Sequence, residues 1–460
     1  MIIPKTPLFT LVVIFCCLTS IYVAADEPKE SFFQSGYARF KTLILDPPAT
    51  TSYLNPRRGK VTDTAKITTH SDLTLLQNDP PTLSGCIETL PYDHMPLMTR
   101  IGHAARVMAN HSEDSIEQFG FQPHFSGLKG PHLHVMRKDI ERALLTDTAS
   151  ANEIYHNASF AAPRNGRCRE TLKAVWDLEL NHKADLSDSD HAPIIKSEVI
   201  VNNRIHFAGS FLATVSARYL LYDNFKKDNG FRLLNRTDPV RQDELGYLQN
   251  RFGLNRIMLS GFATLVEDFY IAGHAGYLEE MFMGLGGEFL YRPHDSAFSL
   301  GGEVWSVMKR VPYAGSFLAV EDSIQKTSAL LNLWYDTPVL PMNFGLSAGR
   351  FLDGDIGYQI HSTYKPAAGW QLKAYATHSA QDDATVTKRD SENWIFGGRL
   401  TMPLGRIKNI PDNSRQTVTI EPFARDHGQT LDNSYPLYDL TDAWQLRNIK
   451  THWQDITHSK

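Results

Sequence analysis

The chain has 460 residues and a formal net charge of −5 at pH 7, and 42% of its residues are hydrophobic. This length is enough for two or three domains, and the acidic balance argues against binding of nucleic acid through a basic surface. With a mean hydropathy of −0.30, the chain is too polar for a bundle of membrane-spanning helices, whereas a β-barrel with a polar lumen stays compatible.

The first 25 residues have the form of a secretory signal peptide. Lys5 precedes an apolar run that ends in Val23-Ala24-Ala25, which are small residues typical of a cleavage site. We therefore expect export. An uncleaved membrane anchor is the alternative, because the run is about as long as a short membrane span. Lipidation at Cys16 or Cys17 also stays open, although neither cysteine follows the small residues of a lipoprotein signal.

Two cysteines, Cys86 and Cys168, remain after removal of the signal peptide. In an oxidising compartment they are expected to form one disulfide bond that closes a long loop; the alternative is a pair of buried free thiols. Residues 26–80 are polar with scattered β-branched positions and predict a β-rich segment. Residues 81–203 combine short helical patterns, such as "TASANEIYHNASF" with Thr148 as its cap, with strand-like "KAVWDLEL" and "IIKSEVIVNN". They predict a small periplasmic α/β domain.

From residue 204 to residue 425 the hydrophobic pattern has period two. In "IHFAGSFLATVSARYLLY", aromatic and aliphatic residues alternate with Ser210, Thr214, Ser216 and Arg218. Similar segments of about eight to eleven residues recur between turn signals, and this length is closer to a bilayer-crossing strand than to a strand of a soluble sheet. We therefore predict a mainly β protein, an antiparallel outer-membrane-type β-barrel with the small α/β domain. Residues 426–460 are expected to form a soluble C-terminal tail.

The stretch "GYLEEMFMGLGGEFLYRP", residues 276–293, shows the alternation clearly. Leu285, Gly287, Phe289 and Tyr291 are predicted on one face of a strand, and Glu288 and Arg292 are predicted on the other. Pro293 ends the strand because it lacks a backbone donor. The next strand repeats the pattern and places Glu303 on the same face as Glu288. A polar lumen accommodates two acids on one face, and lipid does not.

This stretch, together with "AFSLGGEVW", "LSAGRFLDGDIG", "PFARDHGQTL" and "PLYDLTDAW", resembles the YjbH-like family of exopolysaccharide-biosynthesis proteins. The resemblance covers about Arg137 to Trp444. The motif residues are Tyr277, Leu278, Glu279, Gly287, Glu288, Tyr291, Arg292 and Pro293. It implies a Gram-negative outer-membrane β-barrel with a periplasmic portion that takes part in secretion or assembly of an extracellular polysaccharide. Members of the family are generally longer than this chain, and the family offers no catalytic residues to transfer.

The sequence thus predicts a non-enzymatic outer-membrane protein that needs no cofactor or metal. Its expected partners are outer-membrane lipid, the polysaccharide and other polysaccharide-export proteins. Sugars hydrogen-bond through hydroxyls and stack on aromatic rings, so the candidate lumen contacts are Glu288, Glu303, Arg399 and Trp305.

Two other functions stay open: a soluble periplasmic carbohydrate-binding or scaffold protein built on a β-sandwich, and a polysaccharide-modifying enzyme. Three patterns that suggest catalysis or metal binding are each better explained structurally. "GLSAG" around Ser347 lacks the strand–turn–helix context of a nucleophile elbow. His132 and His134 lack further zinc ligands nearby. Glu279 and Glu280, as strand neighbours, would point to opposite faces.

Overall fold

The fold comes from a computed structural model that describes residues 74–76, 80–89, 95–146, 148–163, 168, 172–186, 193–207, 209–225, 238–311, 320–380, 394–405 and 407–457. The predicted signal peptide and almost all of the predicted segment 26–80 lie outside these ranges. No helix within them is long and apolar enough to span a membrane.

The N-terminal part is a small α/β unit, as the sequence predicts. A mixed sheet has the strand order β1-β2-β3-β5-β6, with β4 paired to β3. In chain order the elements are β1 (Thr74–Leu76), β2 (Thr82–Glu88), α1 (Leu97–His111), β3 (Gln118–Phe125), β4 (Leu128–Lys129), β5 (His132–Met136), α2 (Arg137–Ile140, continued by a π-helical turn Glu141–Leu145), α3 (Ala151–Asn157) and β6 (Ser159–Ala161). Helix α3 begins after Ser150, not after Thr148 as predicted. Cys86 on β2 is disulfide-bonded to Cys168, so the predicted bond is confirmed.

Thirteen strands close into a barrel. They are β7 (Lys173–Asp185), β8 (Ile194–Phe207), β9 (Phe211–Asp223), β10 (Phe252–Val266), β11 (Phe269–Tyr277), β12 (Phe282–Tyr291), β13 (Phe298–Arg310), β14 (Val320–Asp336), β15 (Met342–Arg350), β16 (Ile356–Tyr364), β17 (Gln371–Ser379), β18 (Trp394–Pro403) and β19 (Arg415–Ile420). A short helix, α4 (Glu244–Tyr247), lies in the connection between β9 and β10. Neighbouring strands are antiparallel except at the closure, where β19 runs parallel to β7. The closed barrel rules out the β-sandwich of the soluble alternative.

The barrel begins earlier than the sequence predicts. Strands β7 and β8 contain "KAVWDLEL" and "IIKSEVIVNN", which the sequence analysis assigned to the α/β domain, but both pair within the barrel. Likewise, the stretch around Ser210 is not one strand. It is the turn between β8 and β9, where Gly209 has a φ of 70°. The alternation crosses this turn without a break in phase, so periodicity alone could not reveal it.

The outer face of the barrel is apolar. Leu285, Val304 and Leu331 on neighbouring strands are each more than half exposed, while Arg292 and Ser299 on the other face are buried. Aromatic side chains contact one another near both ends of the strands, in the pairs Phe207–Phe211, Phe269–Phe289, Phe298–Tyr335, Tyr364–Trp370 and Trp394–Phe396. An apolar band flanked by aromatic residues is typical of barrels that sit in an outer membrane.

The two ends of the barrel differ. At one end, here called the turn end, most connections are short, as between Val266 and Phe269 or between Tyr291 and Phe298. At the opposite end, the loop end, the longest connection runs from Asp223 to Phe252 and contains α4. The α/β unit contacts the turn end. The Lys129 backbone N–H donates to Thr264 Oγ1 at 2.9 Å, and Phe125 packs edge-to-face on Phe262 with a centroid distance of 5.5 Å.

The C-terminal segment is not a soluble tail. After β19 it continues through α5 (Leu437–Thr441), a 3₁₀ turn (Asp442–Trp444), α6 (Leu446–Thr451) and a second 3₁₀ turn (Trp453–Ile456). Phe423 N–H donates to Asp185 at the loop end, and Trp453 Nε1 donates to the Ala151 carbonyl in the α/β unit. Between these two points the segment bonds to inward-facing barrel side chains. Residues 422–456, here called the plug segment, therefore pass through the lumen from the loop end to the turn end.

Candidate functional site: the barrel lumen

The acidic pair predicted from the sequence lies in the lumen. Glu288 and Glu303 are direct cross-strand partners on β12 and β13. Both Glu288 carboxylate oxygens are engaged by the plug segment: one accepts a hydrogen bond from the Asn433 amide, and the other accepts from the Leu437 backbone N–H at 3.1 Å. Glu288 therefore holds the plug segment in this conformation and does not face an open channel.

Trp305 is a core residue of the lumen. Its side chain is 2% exposed, stacks on His274 with a centroid distance of 5.6 Å and donates from Nε1 to Glu303 at 3.2 Å. Gly286 on β12 makes room for the ring, since a Cβ there would lie 2.2 Å from it. The structure thus brings Trp305, Glu288 and Glu303 together, but beneath the plug segment.

Arg292 is the main anchor of the plug segment. This fully buried residue follows β12 directly and donates to the Tyr438 carbonyl at 2.6 Å and to Thr441 Oγ1 at 3.2 Å. It also forms ion pairs of 2.9 Å with Asp336 of the barrel and Asp442 of the plug segment. Its guanidinium lies 3.9 Å from the centre of the Tyr438 ring. One side chain therefore joins the wall to the plug segment through five contacts.

The charge of Asp442 depends on this anchor. Burial alone would raise the pKa of its carboxyl group, but the cations of Lys365, Arg292 and Arg447 outweigh it and hold the pKa well below the usual range. Lys365 Nζ lies 3.2 Å from the Asp442 carboxylate and 2.9 Å from that of Asp439. The part of the plug segment around Asp442 is thus fixed by buried ion pairs, and breaking such pairs lowers the free energy of unfolding considerably.

The loop end is held by a second set of contacts. Asp426 of the plug segment accepts hydrogen bonds from the successive backbone N–H groups of Val240, Arg241 and Gln242 at 2.7 to 3.0 Å. Arg241 in turn pairs with Glu279 at 3.0 Å. Because Glu279 lies in the turn between β11 and β12, the prediction that Glu279 and Glu280 are strand neighbours was wrong. Glu280 instead pairs with Arg218.

The remaining motif residues have structural positions around this lumen. Leu278 is buried in the turn after β11, and the Tyr277 ring lies 5.1 Å from the Arg310 guanidinium. A Cβ at Gly287 would lie 2.8 Å from the Ala272 carbonyl oxygen. Tyr291 is exposed on the outer face, and Pro293 begins the turn after β12. Within the stretch that stands out in the sequence, Glu279, Glu288 and Arg292 are the residues that bond to the plug segment.

Arg399 differs from the other three candidate contacts because it is exposed. It lies on β18 opposite Lys373 of β17. A Cβ at Gly397, two residues before Arg399, would lie 2.2 Å from the Tyr375 ring, whose hydroxyl bonds to Glu421. Arg399 therefore faces inward, and its exposure is to solvent within the lumen. The side chain of Asp432 in the plug segment is also 58% exposed, so the segment leaves solvent-accessible space beside this wall.

Two other sequence patterns have the structural explanations that the sequence suggested. Ser347 belongs to β15, which continues to Arg350 without the turn and helix of a nucleophile elbow. His132 and His134 contact each other, with Nδ1 and Nε2 2.7 Å apart, inside the α/β unit.

The plug segment is the feature that sequence reasoning missed. The notable signal was "PLYDLTDAW", whose leucine and aromatic residues at helical spacing are unusual for a soluble tail.

Fold and lumen together define an outer-membrane-type β-barrel whose own C-terminal segment fills much of its interior. The sequence profile of the YjbH family, described as exopolysaccharide biosynthesis protein YbjH, matches residues 86–443. The chain belongs to this family.

A curated relative is the uncharacterized lipoprotein YjbH of Escherichia coli K12, which is 28% identical over 222 residues. The match covers 46% of this chain and 31% of the relative, so the chain spans about a third of that protein.

Among solved structures, OmpF of Salmonella typhi in complex with daunomycin is similar with a TM-score of 0.30 and 7% identity, over 50% of this chain and 85% of the other. In-vitro folded OmpT of Vibrio cholerae has a TM-score of 0.24 and 11% identity, over 50% and 78%. The barrel assignment rests on the strand pairing described above.

Proposed function

We propose that this protein is a non-enzymatic outer-membrane β-barrel that assists export or assembly of an extracellular polysaccharide, with the α/β unit on the periplasmic side. Membership of a family of exopolysaccharide biosynthesis proteins supports the process, and the apolar outer face with its aromatic ends supports the membrane location. Short turns usually face the periplasm in such barrels, which favours a periplasmic α/β unit at the turn end.

The observation that carries the proposal is the plug segment. A polar lumen closed by a segment that is anchored at both ends fits a regulated passage. A polymer can enter the lumen after the plug segment is displaced. In the closed state the plug segment keeps the outer membrane impermeable. The contact of the α/β unit with the final turn of the same segment, through Trp453, supports a role of this unit in sensing a periplasmic partner. Other polysaccharide-export proteins are the partners we expect there.

A non-enzymatic role is favoured over a modifying enzyme by the state of the carboxylates. A glycosidase needs two carboxyl groups on either side of a sugar bond. Glu288 and Glu303 are instead side by side on adjacent strands, and Glu288 is bound by the plug segment.

The test is a deletion strain in which extracellular polymer and polymer retained in the periplasm are both measured. Loss of the protein should lower the extracellular amount and raise the retained amount, and wild-type protein should restore both. Arg350→Met, a change at an exposed residue, should restore them equally well and serves as control. Unchanged secretion in the deletion strain would rule out the proposed function. A polymer secreted normally in amount but with altered length or substitution would favour the enzyme.

Location is tested separately by membrane fractionation and by gel migration with and without boiling. We expect the mature protein in the detergent-extracted outer-membrane fraction with heat-modifiable mobility. Recovery as a soluble periplasmic protein would contradict the membrane location.

A further inference from the structure

The strand that closes the barrel is also its shortest strand. β19 has 6 residues, whereas the other barrel strands have 9 to 17. Along β7 it pairs only with residues 179–184, and it does so in parallel. Parallel pairing is slightly less stable per residue than antiparallel pairing. The junction of β19 and β7, here called the seam, therefore combines a short ladder with the weaker mode of pairing.

The two neighbours of β19 extend past it in opposite directions. Towards the turn end, residues 173–178 of β7 lie beyond the ladder, and the Leu178 backbone N–H donates to Ser414 Oγ at 3.0 Å instead of to a strand. Towards the loop end, residues 394–397 of β18 lie beyond Ile420. In the part of the chain that the structure describes, neither range has a strand partner on that side. Separating β19 from β7 therefore breaks few backbone hydrogen bonds.

The start of the plug segment holds the seam at the loop end. Glu421, which directly follows β19, donates its backbone N–H to the Ala184 carbonyl at 3.0 Å, and its carboxylate pairs with Lys183 at 3.1 Å. Phe423 donates its backbone N–H to Asp185 at 2.9 Å, and the Lys183 ammonium lies 4.4 Å from the centre of the Phe423 ring. A plug segment that leaves the lumen therefore pulls on the residues that keep β19 beside β7.

The two faces of the seam differ in polarity. On the lumen side, Glu179 of β7 accepts hydrogen bonds from the Arg415 guanidinium and from the Thr417 hydroxyl of β19. On the membrane side, Ile420 lies opposite Ala184 and is 46% exposed. An open seam thus joins a polar lumen to the apolar bilayer. A molecule that occupies both needs a polar part and an apolar part, because polar groups without hydrogen-bond partners are unfavourable in lipid.

We propose that the seam is a lateral portal that opens when the plug segment is displaced and admits a lipid-linked saccharide, with the sugar in the lumen and the acyl chains in the bilayer. This inference rests on the proposed function and adds the class of substrate. The sugar hydroxyls, which both donate and accept hydrogen bonds, replace the bonds that Glu179, Arg415 and Thr417 make across the closed seam.

The experiment measures movement of a glycolipid between the two leaflets of vesicles that contain the full chain. The probe is a monoglucosyl diacylglycerol with a short fluorescent acyl chain, and the fraction that added serum albumin extracts is followed over time. We expect slow movement with the wild-type protein. With Arg292→Met it should be at least about tenfold faster, because loss of one partner of a buried ion pair raises the population of the detached plug segment.

A disulfide bond across the seam separates the lateral path from the axial one. Leu180→Cys with Gln416→Cys, direct partners on β7 and β19, should return Arg292→Met to the wild-type rate when oxidised and restore the fast rate when reduced. The oxidised protein should still conduct ions, because the displaced plug segment leaves the lumen open along its axis. The matched control joins β8 to β9 through Val201→Cys with Ala217→Cys, also direct partners, and should leave movement fast in both states.

Arg292→Met without added cysteines, treated with the same reductant, controls for reduction of the Cys86–Cys168 bond. The portal is overturned if the oxidised seam pair leaves movement fast, if the oxidised control pair slows it equally, or if Arg292→Met conducts ions without moving the glycolipid. Phosphatidylcholine with the same label should move more slowly, because its headgroup has no hydroxyl group, and equal movement would overturn the saccharide as the substrate class. These outcomes are independent of the deletion strain, since a polymer that passes along the barrel axis needs the protein but not the seam.

Discussion

Replacing Arg292 by methionine should release the plug segment from the barrel wall. Methionine fills a similar length of buried space but removes all four hydrogen-bonded contacts to Tyr438, Thr441, Asp336 and Asp442. The change acts on the wall side of the interface and leaves the plug sequence itself intact.

The free-energy cost of Arg292→Met depends on the partners that Asp336 and Asp442 keep after the substitution. Removing one partner of a buried ion pair typically costs about 3–5 kcal/mol. Asp336 keeps the Tyr438 hydroxyl at 2.7 Å and Arg447 at 3.1 Å, and Asp442 keeps Lys365 at 3.2 Å. Neither carboxylate is left bare, so we expect the lower end, about 3 kcal/mol. Since about 1.4 kcal/mol is a factor of ten, the detached state should become roughly 100-fold more populated.

The measurement is conductance of single barrels in a planar bilayer, combined with limited proteolysis of the plug segment. Wild-type protein should be closed most of the time and resistant to cleavage. Arg292→Met should show frequent openings and faster cleavage between residues 422 and 456. Arg350→Met makes the same chemical change at an exposed position and should behave as wild type. If Arg292→Met kept wild-type conductance, cleavage rate and melting temperature, Arg292 would not be the anchor.

Three further predictions concern the loop end of the barrel, the last turn of the plug segment and the disulfide bond of the α/β unit. Burial would raise the pKa of Glu244 on α4, but Lys183, Lys196 and Arg241 lower it to about 2 from an ordinary value of 4.5. The ionised Glu244 therefore stabilises the fold fully above about pH 4.5, and this stabilisation, on the order of 3 kcal/mol, is lost as pH falls towards 2. Hydrogen exchange in residues 238–250 should rise over that pH range. Glu244→Gln should abolish the pH dependence. Gly102→Ala should detach the last turn of the plug segment, because a Cβ there would lie 2.1 Å from the Ile456 carbonyl oxygen. Proteolytic cleavage near the C-terminus should then accelerate, whereas Asn110→Ala, a change at an exposed residue of the same helix, should leave the cleavage rate unchanged. Equal cleavage rates in both variants would contradict the packing. The Cys86–Cys168 bond spans 82 residues, and its removal by double serine substitution should destabilise the α/β unit by about 4 kcal/mol in thermal melts. The heat-modifiable mobility of the barrel should persist. An unchanged melting temperature of the α/β unit would refute this prediction.

The sequence predicted the barrel because the outer face of each strand is apolar and the inner face is polar. The phases predicted for Leu285 and Glu288 are those observed, since a one-residue slip would turn Glu288 towards lipid. The domain boundary could not be found in the same way. Strands β7 and β8 follow the short helices of the α/β unit in the sequence and were grouped with them, although they too have polar inner residues such as Asp177 and Arg204, which pair with each other.

The sequence predicted which residues line the candidate site, but it did not predict that the plug segment covers them. Glu288, Glu303 and Trp305 were placed correctly on the inner face, yet the sequence gives no direct sign that the plug segment covers them. Glu288 and Asn433 contact each other although they are 145 residues apart in the sequence. Such pairings are set by tertiary packing, and local periodicity carries no information about them.

The odd number of strands determines the end of the barrel at which the plug segment begins. In a barrel with an even number of antiparallel strands, the first and last strands begin and end at the same face of the membrane. With thirteen strands, β7 starts and β19 ends at opposite ends, so the closure has to be parallel. From the end of β19 at the loop end, the plug segment runs through the lumen to the α/β unit at the turn end. The parallel closure is thus a consequence of the strand count, and the plug segment joins the two ends of the barrel by ending at the α/β unit, where Trp453 donates to the Ala151 carbonyl.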